Sequence, residues 1–265
     1  EDTTDINYSS HKSTKGLGNL GGRYETPGIC LHSAIALSSS GEPFGLVGQY
    51  AWAPKYRWRQ KQVAKYSIEE KESYKWIKTK EWVNELYSDF SGKVLVIGDR
   101  EADIYEHFSY PRADHIELLF RAGQLQRTII YNNSKVKLKF LPDHLEQIGE
   151  RIIQIERRKN EKKREVRLAI KIGKLVCPVP SQKKGEPLEL TLVHVKEIDQ
   201  SKDPVEWYLL TTQKVDNLEH AQQLIDFYTT RWTIERFHYV LKSGMRIEQM
   251  QFDNFTRLTH AIEVC

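Results

Sequence analysis

The order of strand-like and helix-like patterns constrains the fold of this chain more than any other feature. Three β-like runs, at residues 2–9, 29–38 and 44–53, are separated by glycine- and serine-rich turns and predict an antiparallel meander. The elements predicted next are a helix over 69–88, a strand over 93–99, a helix over 101–109 and a strand over 115–121. This β-β-β-α-β-α-β order predicts an α/β fold.

Asp99 stands directly after the short apolar run 93–98, which reads as a buried strand. In open α/β sheets, ligands collect outside the carboxyl ends of the strands, so Asp99 is a candidate functional residue. Asp is also a good helix N-cap, and a cap for the following helix is the alternative interpretation.

A set of polar residues follows the period of a helix predicted over 217–243. Tyr228, Glu235 and Lys242 are spaced by seven, and Arg231 precedes Glu235 by four. Steps of seven return to within about 20° on a helix, so these side chains would share one face. Such a face could hold a metal ion against a phosphate backbone. The alternative is a solvent-exposed charged stripe with an Arg231–Glu235 pair.

Five ordered motifs together resemble the DDE transposases of bacterial insertion sequences, in the insertion-sequence-four family and its transposon-five-like members. The matching segments are Asp2-Thr3-Thr4 with the loop 17–21, Glu70-Lys71-Glu72-Ser73 with Trp76, the run 99–104, Trp207 with 209–211, and the spaced Tyr228, Arg231, Glu235 and Lys242. The resemblance implies an RNase H-like core, with a mixed five-stranded sheet flanked by helices and an inserted antiparallel β-rich subdomain.

The resemblance implies that Asp2, Asp99 and Glu235 are the catalytic residues and the metal ligands. In this family the trio binds two divalent ions, normally Mg²⁺, for which Mn²⁺ can substitute. Carboxylates suit a hard cation that retains water and also binds substrate phosphate. Taken alone, Asp2 would read as a disordered terminal residue.

The remaining site residues are assigned to DNA by the same resemblance. Tyr228, Arg231 and Lys242 match positions that contact phosphates near the transposon end, and Trp207 matches a tryptophan that stacks on a flipped base. A core aromatic at the start of a strand is the alternative for Trp207. His238 is included as a DNA contact, with a packing or supporting role as an equal alternative.

The predicted domain organisation has three parts: residues 1–121 as the first part of the core, 122–206 as the β-rich insertion, and 207–265 as the second part with the Glu235 helix. Both ends look cut, because the first catalytic residue implied by the resemblance is at position two and the sequence stops at Cys265 inside an apolar pattern. We therefore expect a catalytic core from a longer transposase, with dimerisation only in the full-length protein.

Positive charge is concentrated between Arg151 and Lys184, a segment that contains twelve Lys or Arg residues and only three Glu. Interleaved with β-like runs, such a segment indicates contact with the phosphate backbone. A solvated lysine-rich hairpin is the alternative.

The three cysteines, Cys30, Cys177 and Cys265, are far apart and lack the spacing of a zinc site. Their number suits a reducing cytoplasm. The resemblance to bacterial transposases implies a prokaryotic, nucleoid-associated protein, so we expect a cytoplasmic location. No apolar run of about 18 residues is present, and no membrane contact is expected.

The expected function is metal-dependent cleavage and strand transfer of double-stranded DNA at transposon inverted-repeat ends, followed by joining to target DNA. Two alternatives remain: an RNase H-like nuclease that stops after cutting, and an inactive DNA-binding remnant of a decayed element.

Overall fold

The chain divides, by its internal contacts, into two units with different sheets. The structure, a computed structural model, describes residues 1–11, 13–21, 25–54, 67–155, 164–199 and 204–265. The first unit comprises Glu1–Ser88 and Arg231–Cys265, and the second comprises Asp89–Thr230. The domain boundaries expected at 121 and 206 stay a prediction.

The sheet of the first unit is an antiparallel arrangement around one central strand. Strand β3 (Pro27–Leu37) pairs with β1 (Asp2–Asn7), with the two-residue β2 (Gly18–Asn19) and with β4 (Pro43–Trp52). The apolar run of β3 is buried, and the strand has a neighbour at each edge. The three predicted strands are therefore confirmed, with small shifts of their ends.

Three helices of the first unit follow its strands, one in the segment Glu1–Ser88 and two in Arg231–Cys265. With helices numbered along the whole chain, they are α1 (Tyr74–Leu86), α4 (Trp232–Tyr239) and α5 (Phe255–Glu263). A π-helical turn, Val240–Gly244, and a 3-10 turn, Ile247–Gln249, connect α4 to the segment before α5. The buried core comprises Ile6, Tyr8, Ile29, Leu31, Leu241, Ile247, Leu258 and Ile262.

The second unit is built on an eight-stranded mixed sheet. Its strands are β5 (Val94–Gly98), β6 (Ile116–Arg121), β7 (Thr128–Tyr131), β8 (Ser134–Lys137), β9 (Gln147–Ile155), β10 (Arg164–Cys177), β11 (Leu188–Glu197) and β12 (Glu206–Thr211). Their order is β5-β6-β12-β11-β10-β7-β8, and β9 also pairs with β10. The pair β5–β6 is parallel, and the other recorded pairs are antiparallel.

The predicted insertion, 122–206, supplies the antiparallel part of this sheet. It lies between β6 and β12 in the sequence, and those two strands pair directly, with Leu210 opposite Phe120. The strands between them continue the same sheet. In the described residues, the single five-stranded sheet implied by the resemblance is divided: β1, β3 and β4 lie in one sheet, and β5 and β6 in the other.

Two helical segments of the second unit differ from their predicted lengths. In place of one helix over 101–109, a 3-10 turn, Arg100–Ala102, precedes α2 (Tyr105–Ser109). Asp103 interrupts the helix because its carboxylate accepts hydrogen bonds from the backbone amides of Gly123 and Gln124. Helix α3 (Leu218–Thr230) then packs on the sheet through its buried apolar side.

Within the part of the chain that the structure describes, no helix combines the length and apolar character needed to cross a membrane.

Candidate active site

Arg231 brings together two of the predicted catalytic carboxylates in the first unit. Its guanidinium donates to Glu235 Oε1 at 2.6 Å and lies 3.5 Å from Asp2 Oδ2. The side chains of Asp2, Arg231 and Glu235 are 20 %, 18 % and 34 % exposed. Acids from opposite ends of the sequence thus share one counter-ion at a partly accessible position.

Local structure fixes both carboxylates. Asp2 begins β1, lies opposite Ser33 of β3 in the strand register, and accepts a hydrogen bond from the amide of Thr3 at 2.7 Å. Glu235 is in the first turn of α4, where a negative charge is favoured by the helix dipole. The Arg231–Glu235 pair anticipated from the sequence is present, and Asp2 adds a second carboxylate to it.

The helix predicted over 217–243 is divided at Arg231. The hydroxyls of Thr229 and Thr230 donate to the carbonyls of Asp226 and Phe227 at 2.6 and 2.7 Å, at the end of α3. Hydroxyls bonded back in this way bend helices. Arg231 itself keeps helical backbone dihedrals (φ −51°, ψ −30°), and a π-helical turn, Val240–Gly244, follows α4. That steps of seven place Tyr228, Glu235 and Lys242 on one face stays a prediction.

Tyr228 and Trp207 belong to the core of the second unit. Tyr228 is 5 % exposed and meets the Trp207 ring edge to face, with centroids 5.0 Å apart. Trp207 is partly buried against the same cluster. Lys242 lies in the π-helical turn of the first unit and is half-buried. Their contacts with DNA stay predictions.

Asp99 follows β5 in the second unit and caps the next turn. Its carboxylate accepts a hydrogen bond from the amide of Glu101 at 2.8 Å, so the capping anticipated as an alternative is present. Four residues later, Asp103 is fully buried and paired with Arg127 at 2.5 Å. Burial raises the pKa of the Asp103 carboxyl, and the charge of Arg127 opposes that shift.

Two buried histidines lie close to the Asp2 strand in the first unit. His238, in α4, is 5 % exposed and has Nε2 3.3 Å from Ser33 Oγ. Burial and the charge of Lys242 lower the pKa of His238 to about 3, so it is neutral at pH 7. His32 is fully buried and lies 3.0 Å from Thr3 Oγ1 through Nδ1. The sequence signal for His32 was a polar pair, His32-Ser33, inside an apolar strand.

The donor set of the first unit fits a hard divalent cation. Asp2 and Glu235 offer carboxylate oxygens, and Mg²⁺ commonly takes one or two carboxylates and otherwise keeps water and phosphate. Among the described residues, no group of three His, Cys, Asp or Glu side chains is close enough to hold a metal ion. In this structure the single positive charge of Arg231 offsets only part of the negative charge of the two acids.

Ion pairs reduce the free charge of the basic segment 151–184. Five of its twelve cations, at 157, 158, 159, 162 and 163, lie outside the described residues. Of the seven described, five pair with carboxylates: Arg151–Asp226, Arg164–Glu197, Arg167–Asp199, Lys174–Asp216 and Lys183–Glu106.

The three cysteines are free thiols.

One comparison with known families bears on this site. A family model described as the transposase DDE domain matches residues 60–265, which is more than half of the chain. The matched range contains Asp99 and Glu235 and begins after Asp2. The match and the acid pair at Arg231 are independent observations. This chain belongs to the transposase DDE domain family.

Proposed function

We propose that this chain is the catalytic core of a cut-and-paste transposase, which cleaves DNA at transposon ends and joins the freed 3′ ends to target DNA. Family membership supports an enzyme that acts on DNA. The observation that carries the proposal furthest is the bridge of Arg231 between Asp2 and Glu235, because it pairs the two acids that the family resemblance assigns to catalysis.

Asp2, Asp99 and Glu235 would hold two Mg²⁺ ions, and Mn²⁺ could replace them. When bound, such ions activate the attacking water or 3′-hydroxyl and stabilise the leaving oxygen. We assign Asp99 to this set on the family match and on its position after the partly buried strand β5. The RNase H-like arrangement of the core is part of the same proposal, supported by the order of the strands and helices along the chain.

Arg231 has two tasks in this proposal. It keeps the Asp2 and Glu235 carboxylates together, which otherwise repel each other. A guanidinium carries five N–H donors, so pairing with carboxylates is compatible with a contact to a DNA phosphate. Lys242, four residues after His238 and half-buried, would supply a second phosphate contact.

Trp207 would hold a base that leaves the stack during hairpin formation at the transposon end. An indole can replace base stacking at roughly 1–3 kcal/mol. The ring is only partly buried, which leaves part of its surface available, while Tyr228 supports it edge to face. A direct DNA contact of the buried Tyr228 would require this packing to change.

Strand joining separates a transposase from the two alternatives. The test incubates the purified chain and Mg²⁺ with plasmid and a short duplex, taken from an inverted repeat flanking its reading frame, that ends in a 3′-hydroxyl. We expect covalent joining of the duplex to the plasmid, and none with a 3′-deoxy end. Cleavage without joining would identify a nuclease, and binding of the duplex with neither reaction would identify an inactive DNA-binding protein.

A further inference from the structure

A chain of buried polar side chains lies between the elements that carry Asp2 and Glu235. Asp2 is opposite Ser33, and Thr3 is opposite His32, in the register of β1 and β3. The side chains of His32 and Ser33 are fully buried. A buried polar group without a hydrogen bond lowers the stability of the fold. The hydrogen-bond partners of these side chains therefore show which elements they connect.

His32 connects β1 to α1. Its Nδ1 lies 3.0 Å from Thr3 Oγ1, and its Nε2 lies 2.9 Å from Thr79 Oγ1. A threonine hydroxyl can donate or accept, so each ring nitrogen has a hydroxyl partner. The buried carboxylate of Glu1 also lies 3.5 Å from Nε2. The residue next to Asp2 is thereby fixed to a helix of the same unit.

Ser33 connects β3 to α4. Its hydroxyl lies 3.3 Å from His238 Nε2 and also accepts from Gln49 Nε2 at 3.4 Å. His238 is three residues after Glu235, and residues three apart occupy neighbouring positions on a helix. The serine opposite Asp2 is thereby attached to the helix that carries Glu235.

We propose that His32, Ser33 and His238 are positioning residues that hold the Asp2 strand and the Glu235 helix at the separation required for divalent-metal binding. This inference rests on the proposed function. The direct connection through Arg231 is partly exposed, whereas the His238–Ser33 and His32–Thr79 hydrogen bonds are buried. Groups that orient metal ligands commonly change metal affinity ten- to a hundredfold when they are replaced.

Two substitutions of His32 separate positioning from general stability. Asn places an amide near the Nδ1 position and keeps the bond to Thr3, whereas Gln places it near Nε2 and keeps the bond to Thr79. We expect His32→Gln to weaken Mn²⁺ binding at least about tenfold and His32→Asn to weaken it less. Ser33→Ala, which removes one oxygen, should also weaken it about tenfold.

The test is calorimetric titration of the 265-residue chain with Mn²⁺, together with its melting temperature without metal. The matched control is His194→Asn, which replaces a buried histidine bonded to Glu206 at 3.0 Å in the second unit. That variant should melt earlier and bind Mn²⁺ like the wild type. If one His32 variant fails to fold, Ser33→Ala and Thr79→Val supply the comparison.

Unchanged Mn²⁺ affinity in the Ser33→Ala and His32→Gln chains would overturn the positioning role. Equal losses in the His194→Asn control would do the same, because the effect would then follow stability alone. A wild-type chain that binds Mn²⁺ but neither cleaves nor joins DNA would contradict the proposed function and leave the positioning result standing. A wild-type chain that binds no Mn²⁺ would contradict both.

Discussion

Arg231 shows how one residue can satisfy two interpretations of a motif. A helical Arg-Glu spacing of four is typical of a surface ion pair, and that pair forms here at 2.6 Å. The same guanidinium also reaches Asp2, which no spacing argument within the helix could anticipate. The contact depends on β1 and α4 meeting in the fold. The sequence therefore predicted the pair, while the resemblance predicted that both acids belong to one site.

Replacement of Arg231 tests its role as counter-ion. Arg231→Ala should lower the free energy of unfolding without metal by about 1 kcal/mol, because the pair is partly exposed. Mg²⁺ should recover most of this loss, since a cation that binds only the folded chain stabilises it. The control is Arg257→Ala, which removes an exposed pair with Asp253. A loss of equal size with and without Mg²⁺, measured by denaturant unfolding, would contradict this role.

His238 should make the stability depend on pH. Its pKa is about 3 in the folded chain, below the ordinary value of 6.5, so the unfolded chain binds the extra proton between those values. Stability is therefore highest above pH 6.5 and falls as the pH decreases. Between pH 7 and 5 this histidine alone should account for about 2 kcal/mol.

The measurement compares urea unfolding of the wild type and His238→Asn from pH 7 to 5. The wild type should lose more stability than the variant over this range. Parallel curves would show that His238 is not buried in neutral form.

At the scale of elements, strands were predicted more reliably than helices. The strands β1, β3, β4, β5 and β6 follow from apolar runs bounded by turn residues. The division of the long helix at Arg231 was missed because threonine has only a modest penalty in helices, and its back-bonding to a carbonyl is decided by rotamer. The helix predicted over 101–109 is interrupted at Asp103, whose carboxylate accepts from Gly123 and Gln124. These partners lie in a later loop, so the interruption could not be predicted from the local sequence.

The buried Asp103–Arg127 pair should matter for the stability of the second unit. Asp103→Ala leaves a cation and two backbone amides without their acceptor, which should cost about 3 kcal/mol. Asp253→Ala is the matched control, because its pair with Arg257 is exposed and should change stability by less than about 0.5 kcal/mol. The measurement is the melting temperature of both variants. Similar decreases in the two would contradict a larger contribution of the buried pair to stability.

At the scale of the whole molecule, ion pairs offset much of the positive charge among the described residues of the basic segment. The segment 151–184 has a strong excess of cations, yet most of those described are paired with acids that are distant in sequence, such as Asp226 and Glu106. Such partners cannot be predicted from composition. The extent of the second unit, Asp89–Thr230, was also not predictable. It depends on the pairing of β6 with β12, which are separated in sequence by a long segment.

We expect DNA binding with little sequence preference and a steep dependence on salt, because phosphate contacts dominate the proposed interface. Lys242→Ala should reduce the slope of log affinity against log salt by about 1 for every duplex sequence. Lys174→Ala, which removes an exposed cation paired with Asp216 at 2.7 Å, should change it less. Titrations at two salt concentrations measure both slopes. A preference above roughly a hundredfold for transposon-end DNA would contradict this account.

The central claim is that Asp2, Asp99 and Glu235 form one metal-dependent site, and its most direct test is cleavage of plasmid DNA by the wild type and by Asp2→Asn, Asp99→Asn and Glu235→Gln. We predict cleavage that requires Mg²⁺ or Mn²⁺ and falls at least about a thousandfold in each variant, with melting temperatures close to that of the wild type, because loss of any one ligand disables the shared site. Cleavage that persists in a folded Asp99→Asn chain, or that proceeds equally in EDTA, would contradict it.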